Sequence, residues 1–540
     1  MLLPLAVLRL YPPHDGTIAS ALNSRVSVAG QRTFIHFQGQ SLSYVHVRDQ
    51  VESTAGVLAL HGVKAGDRVG VMSPNHPTTV LLLFALARLG AIMVPVNPEY
   101  GVDEARYIFA HAEVCGIIVA PSCLATVQLA SQAMPTLPWL MSTQAASPAL
   151  QVEDLPVLSE LARSWSGSLP PIQDDAHATC ILIYTSGTTG FPKGVMHSQR
   201  NLLTAGEGFV ERMHLQSADR LLCVLPMFHV NAICYSLMGA LAAGATLILE
   251  PKFSASTFWR TAFDTGATEV NTIAAASAIL MRRPRSEFVP GHRLRKMYGA
   301  PFDEETYRVF QQEFGVPTLI EGYGMSEIPG ALSNPFAGPH KIRSMGRPSR
   351  HPNPRIALAE LRVTDESGRD MPLGQVGELV VRTPIVMQGY YKDPQQTRAA
   401  FRDGWFLTGD LAYVDPDNYF WFVARKKDII RRRGENISGA ELDRVIGGHP
   451  SVLEAAAIAV PSSLGEDDIL VAVVLRPDRL LAPQDLAGWC RERLSAIKVP
   501  RYVAIVDALP HTPTHRVAKF KLREDARLMA IAHDLQSDRD

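Results

Sequence analysis

The chain has few cysteines, no charge imbalance and no repeat, and each shortage removes a class of protein. Six cysteines stand in 540 residues, at positions 115, 123, 180, 223, 234 and 490, with neither a C-x-x-C pair nor metal-ligand spacing. That pattern is not a disulfide framework. It is the pattern of reduced, mostly buried thiols in a cytoplasmic protein. Lys and Arg total 52 against 53 Asp and Glu, for a net charge of −1. So even a balance argues against nucleic acid as the main partner. Two apolar runs imitate membrane spans: Val230 to Leu249, twenty residues without a charge, and Thr78 to Val96, interrupted only by Arg88. Both read as buried helix-plus-strand units, with Gly244 as the helix C-cap before the strand Ala245 to Leu249, and no transmembrane segment is expected. Met1 to Leu10 is apolar but short, carries Arg9 and lacks a small-residue cleavage site, so it does not read as a signal peptide.

What is present is a large globular chain, 46% hydrophobic and 19% charged, too long for one core. From about residue 30 to 360, apolar strand-like runs alternate with helical stretches. Examples are Arg68 to Met72, then the helix Thr78 to Leu89, then Ala91 to Pro95. This is an α/β pattern, and near-continuous apolar strands imply sheets covered on both faces. Residues 356–424 change character: Glu378 to Arg382 and Tyr419 to Val423 are strand-like and lie between turn clusters, which predicts an antiparallel sheet or small barrel. Arg425 to Arg433 then holds six basic residues in nine. Beyond it, helix Gly439–Gly447, strands 454–460 and 469–475, helix 483–494 and strand 502–506 predict a small α+β domain. The expected domains are therefore 1–425, including the β subdomain 356–424, and 428–540.

The most informative stretch runs from Tyr184 to Gly194. An apolar strand, Cys180 to Ile183, precedes it and a helix start at Ser198 follows. Thr185, Ser186, Gly187, Thr188, Thr189 and Gly190 offer hydroxyl and backbone N–H donors to an anion, and Lys193 adds a cation. The natural guest is a polyphosphate. A P-loop is excluded, because counting from Gly187 the second required glycine falls on Pro192. The wording of this stretch resembles the signature of the adenylate-forming superfamily, which includes acyl-CoA synthetases, luciferases and peptide-synthetase adenylation domains.

The resemblance covers roughly residues 15 to 525, with the motifs in the family's order. It implies that Gly299, Ala300 and Pro301 flank adenine. In Tyr323-Gly324-Met325-Ser326-Glu327 it implies that Tyr323 stacks on adenine, Ser326 bonds the α-phosphate and Glu327 helps hold Mg²⁺, a cation that prefers hard oxygen ligands. Asp410, in Trp405 to Asp410, and Arg425 would bind the ribose hydroxyls. Lys427 occupies the family's hinge position, which implies that the domain 428–540 is mobile. Gly434 lies in the segment that lines the pantetheine tunnel, and Arg431, Arg432 and Arg433 are either CoA-phosphate donors or a basic surface run. His229, in Pro226 to His229, either gates the acyl pocket or is a packed histidine.

One departure matters. Where the family reads P-x-T-x-[ST]-G-K, this chain reads Pro510-His-Thr-Pro-Thr-His515-Arg516-Val-Ala-Lys519. Register places Arg516 for the family lysine, with Lys519 as the alternative. Arginine keeps the charge but is planar and bulkier. The resemblance implies an AMP-forming acid–thiol ligase using ATP, Mg²⁺ and coenzyme A on a small-molecule carboxylic acid. The phrasing is closest to the crotonobetaine/carnitine–CoA ligase-like and fatty-acyl-CoA synthetase branch. Delivery to a separate carrier protein, and a binding protein without turnover, are the alternative readings. A homo-oligomer stays open.

Overall fold

The computed structural model describes residues 1–132, 134, 138–144, 155–169, 171–172, 174–185, 192–432, 435–462, 467–511 and 517–535. Two compact units emerge: Met1–Leu361 with Val381–Phe406, and Arg362–Val380 with Leu407–Asp540.

The α/β reading holds in the first unit. A seven-stranded sheet contains the parallel strands Arg68–Met72, Ile92–Val96 and Gly116–Val119. A nine-stranded sheet contains the parallel strands Arg220–Cys223, Thr246–Leu249, Glu269–Asn271 and Lys296–Gly299. Ile92–Val96, Gly116–Val119 and Thr246–Leu249 are buried at every position, as strands covered on both faces must be. Both imitation membrane spans resolve into helix and strand. Pro77–Leu89 starts with proline in its first turn, where the missing N–H costs nothing, and stops at Gly90 in the left-handed region. The second span holds the π-helix Asn231–Leu237, the helix Met238–Ala243 and the strand Thr246–Leu249. Gly244 takes φ 64° between helix and strand, and a Cβ there would collide with the Tyr11 hydroxyl, which donates to the Ala243 carbonyl at 3.3 Å. Among the described residues no helix is long and apolar enough to cross a membrane. Five of the six cysteines are buried, Cys115 is half-buried, and all are free.

In the stretch 356–424 the expected antiparallel pairing is present: Trp405–Val414 runs against Phe420–Arg425. Within the second unit, the helix Gly439–Gly447 begins at the Ser438 cap, whose hydroxyl accepts from the Glu441 N–H. The strands Val452–Pro461, Asp467–Leu475, Tyr502–Ile505 and His533–Asp534 form a four-stranded sheet. Alternate residues of Asp467–Leu475 feed two apolar clusters: Ile469, Val471 and Val473 join Leu442 and Leu486, while Leu470, Ala472 and Val474 join Leu522 and Leu528.

Candidate active site

Lys193 and Thr185 are direct antiparallel partners at the ends of the strands Lys193–Ser198 and Thr179–Thr185. Ser186, Gly187, Thr188 and Thr189, which lie between them in sequence, fall outside the described residues. The strand Lys193–Ser198 was not anticipated, although its buried Val195 and His197 alternate with half-buried Met196. Tyr184, next to Thr185 in the same strand, is buried and shares a 2.7 Å hydrogen bond with His111 Nδ1.

Tyr323, Gly324 and Met325 close the strand Thr318–Met325, Ser326 and Glu327 form the turn, and Ile328–Ser333 returns antiparallel, with Met325 opposite Ile328. The tightness of this hairpin explains Gly324: a Cβ there would lie 2.5 Å from the Gly330 nitrogen. His197 pins the turn from beneath, its Nε2 donating to the Ser326 carbonyl at 2.6 Å. A carbonyl cannot donate, so Nε2 carries the proton, and Nδ1 is left to accept from Asn201 Nδ2 at 3.3 Å. Burial holds the imidazole neutral, with its pKa pushed down to about 4.

Glu327 is buried, and its Oε1 accepts from the Tyr390 hydroxyl at 2.8 Å. The Lys193 ammonium lies 5.1 Å from the centroid of that same ring and donates to Gln396 Oε1 at 2.9 Å. The structure thus brings Lys193 and Glu327 to one phenol. Gly299 ends the strand next to Thr318–Met325, paired with Glu321, and a Cβ on it would meet Phe302 at 2.8 Å and the Thr272 carbonyl at 3.0 Å. Ala300 is half-buried and Pro301 exposed, joined by a cis peptide. His229 sits two residues before the π-helix, its ring 4.3 Å from that of Phe228.

Glu321, two residues before Tyr323, fastens the segment after Pro301. Its carboxylate accepts from the Phe302 N–H at 2.9 Å, the Arg343 N–H at 3.2 Å and the Tyr307 hydroxyl at 3.2 Å. Burial outweighs these donors and raises its pKa to about 7. A carboxyl whose pKa is higher folded than unfolded stabilises the fold fully below the unfolded pKa and loses that contribution as pH rises through the folded one. Thermal unfolding should therefore show wild type losing about 2 kcal/mol between pH 5 and 8 relative to Glu321→Gln, whose side chain cannot titrate.

In the second unit, Asp410 and Arg425 are cross-strand partners, and Arg425 Nε lies 2.9 Å from Asp410 Oδ1. Asp410 is buried. Lys427 lies in the short turn Lys426–Asp428. Lys519 begins the helix Lys519–Glu524, and its ammonium pairs with Asp443 at 2.5 Å, while Asp443 Oδ1 accepts from the Ala457 N–H at 2.6 Å. Arg432 is spent internally: it is buried, pairs with Asp468 at 3.3 Å and donates to the Ile497 and Val499 carbonyls, whereas Arg431 is exposed. Arg516, Arg433 and Gly434 lie outside the described residues.

Comparison with known proteins decides the family. The AMP-binding enzyme profile matches residues 22–391, and that of the AMP-binding enzyme C-terminal domain matches 441–516. This chain belongs to the AMP-binding enzyme family. It is 35% identical over 492 residues to the sulfoacetate–CoA ligase of Cupriavidus necator, covering 90% of this chain and 93% of that one. The crotonobetaine/carnitine–CoA ligase of Escherichia coli is 30% identical over 491 residues, covering 89% and 93%. The crystal structure of ATP-bound MatB from Rhodopseudomonas palustris aligns with TM-score 0.81 at 26% identity, over 94% of this chain and 98% of that one. The protein is accordingly an adenylate-forming carboxylate–CoA ligase that uses ATP, Mg²⁺ and CoA.

Sequence reasoning missed Tyr390, Gln396, His197 and Glu321. The Gly389-Tyr-Tyr-Lys-Asp-Pro394 cluster was a readable turn signal. The reach of Tyr390 to Glu327, across 63 positions, had none.

Proposed function

We propose that this AMP-binding family member activates a short carboxylic acid bearing a second polar or charged group, in the cytoplasm, where ATP and CoA are supplied. Two observations support that class. The relatives above are named for sulfoacetate and for crotonobetaine or carnitine, small charged acids rather than long fatty acids. Two residues past His229, Asn231 Oδ1 is buried without a hydrogen-bond partner among the described residues, an acceptor suited to a polar substrate group.

Lys193 and Thr185, with Ser186 to Thr189, hold the triphosphate. Gly299 to Pro301 and Tyr323 bound the adenine. Asp410 and Arg425 take the ribose hydroxyls. Glu327 is buried and offers a carboxylate, the hard oxygen ligand that Mg²⁺ prefers, so it is the residue that would hold the ion. Bound there, Mg²⁺ would supply positive charge against the phosphate oxygens. The protein's own work is positioning and electrostatics: the Lys193 and Arg516 cations are assigned to offset developing negative charge while a carboxylate oxygen attacks the α-phosphorus in line. Residues 428–540, the expected mobile domain, then reorient about Lys427, the CoA thiol displaces AMP from the acyl-adenylate, and Gly434 serves the pantetheine arm.

Acid-dependent pyrophosphate release across a panel tests the substrate class. The highest kcat/KM should fall on a short acid with a second charged group. If octanoate or palmitate leads the panel, the proposed class is wrong.

A further inference from the structure

The helix Gln199–Met213 carries an arginine into the interior of the first unit with no carboxylate to meet it among the described residues. Arg212 Nη2 donates to the Gly330 carbonyl at 2.8 Å and to Ser349 Oγ at 3.2 Å. Its Nε and Nη1 are buried without a hydrogen-bond partner among the described residues. Three rings enclose the guanidinium: Cζ lies 5.2 Å from the centroids of Tyr235 and Tyr298 and 5.7 Å from that of Phe209. The Tyr235 hydroxyl is close enough for the guanidinium to favour its ionisation, but burial outweighs that and keeps the phenol protonated, so it brings no negative charge. The place matters. Tyr235 stands four residues past Asn231 on the π-helix Asn231–Leu237, and a Cβ on Gly324 would lie 2.9 Å from its hydroxyl. A Cβ on Gly330 would collide with the Arg212 guanidinium. Arg212 therefore lies where the segment after His229 meets the hairpin that carries Tyr323 and Glu327.

A buried cation without a counter-charge is costly, and buried charges are ordinarily paired. Three rings around one point are also the arrangement that receives a quaternary ammonium ligand. Here the chain's own guanidinium fills that cage, so a cationic substrate group would meet repulsion beside it. An anionic group would supply the missing counter-charge, since carboxylate and sulfonate oxygens accept well from the planar guanidinium fork. We propose that Arg212 is a specificity-determining residue whose charge selects an acid with a second anionic group, carboxylate or sulfonate, over acids whose second group is neutral or cationic. This rests on the reading above that the substrate carries a second polar or charged group, and it narrows that group to an anion.

The test compares acids alike in shape but not in charge, by pyrophosphate release from the full-length protein. Sulfoacetate, succinate and malonate are each set beside the amide that neutralises the second group, with betaine as the cationic member. Wild type should favour the best anionic acid over its own amide by at least about tenfold in kcat/KM, and betaine should rank below both. Arg212→Gln should bring the acid-to-amide ratio to within about threefold, while Arg212→Lys, which keeps the charge, should hold it above that. The ratio is read within one protein, so a loss of activity common to acid and amide does not move it. If Arg212→Gln keeps the wild-type ratio, the guanidinium only packs against the rings and the role is overturned. A lysine variant that treats acid and amide alike overturns it too, and that variant decides the matter if Arg212→Gln does not fold. An amide or betaine at the head of the wild-type panel overturns the anionic selection and leaves the second-polar-group reading standing. Octanoate or palmitate at the head ends both.

Discussion

Asp410→Ala is expected to lower kcat/KM for ATP by about a hundredfold, with the larger part in ATP affinity. The magnitude follows from how the carboxylate is held. Asp410 is buried; its N–H donates to Thr408 Oγ1 at 3.0 Å, and the Thr408 hydroxyl donates to the Leu379 carbonyl at 2.7 Å. The adjacent Gly409 N–H donates to Glu378 Oε1 at 3.2 Å, and Glu378 Oε2 pairs with Lys426 at 3.2 Å. Such a fixed acceptor binds a pair of hydroxyls without an ordering cost. Removing it also strips the Arg425 guanidinium of its cross-strand carboxylate, 2.9 Å away. A ribose role makes a sharper forecast than loss of activity. Wild type should discriminate strongly between ATP and its 3′-deoxy analogue, and Asp410→Ala should discriminate little, since the hydroxyl would no longer have its acceptor. Equal discrimination in both proteins would take Asp410 out of the ribose site.

The second large effect concerns the missing lysine near the C-terminus. Arg516→Ala should slow acyl-adenylate formation by at least about tenfold, 1.4 kcal/mol of barrier, while thioester formation from supplied acyl-adenylate survives. Lys519 is the alternative cation, and its surroundings argue for a different task. Its ammonium is committed to Asp443 at 2.5 Å in a mostly buried position, and a Cβ on Gly439 would lie 3.1 Å from it. Burial already raises the Asp443 pKa against the opposing effect of Lys519, so removing the ammonium leaves a half-buried carboxyl held only by the Ala457 N–H. Lys519→Ala should therefore cost about 2 kcal/mol of stability. Below the shifted melting temperature, adenylation by that variant should remain within about threefold of wild type. If Lys519→Ala, still folded, slows adenylation as Arg516→Ala was expected to, the register placing Arg516 in the lysine's role is wrong.

The α/β layering of this protein was legible because buried parallel strands leave a strong local mark. Ile92–Val96 is an unbroken apolar run and Thr246–Leu249 is apolar after its first residue, and the helices before them end at Gly90 and Gly244. Gly439–Gly447 was legible for a similar reason, with Ser438 capping it and Leu442 and Ile446 facing one core. Lys193–Ser198 was not, because a strand that opens with lysine and glycine and ends on a helix cap carries little apolar signal. Nor was the internal use of Arg432. A run of arginines reads as solvated, and only the fold shows that one of them reaches Asp468 and two carbonyls. The same limit governs Tyr390 and Glu321, whose partners lie on other elements of the fold.

The most direct test of the two-step ligase account is a single-turnover measurement with a good acid substrate, following pyrophosphate and AMP separately, with CoA withheld and then added. The account expects one burst of pyrophosphate per active site without CoA, no AMP release until CoA arrives, and then AMP together with acyl-CoA. Pyrophosphate release that waits for CoA, or AMP that appears with no acyl-CoA formed, would contradict it.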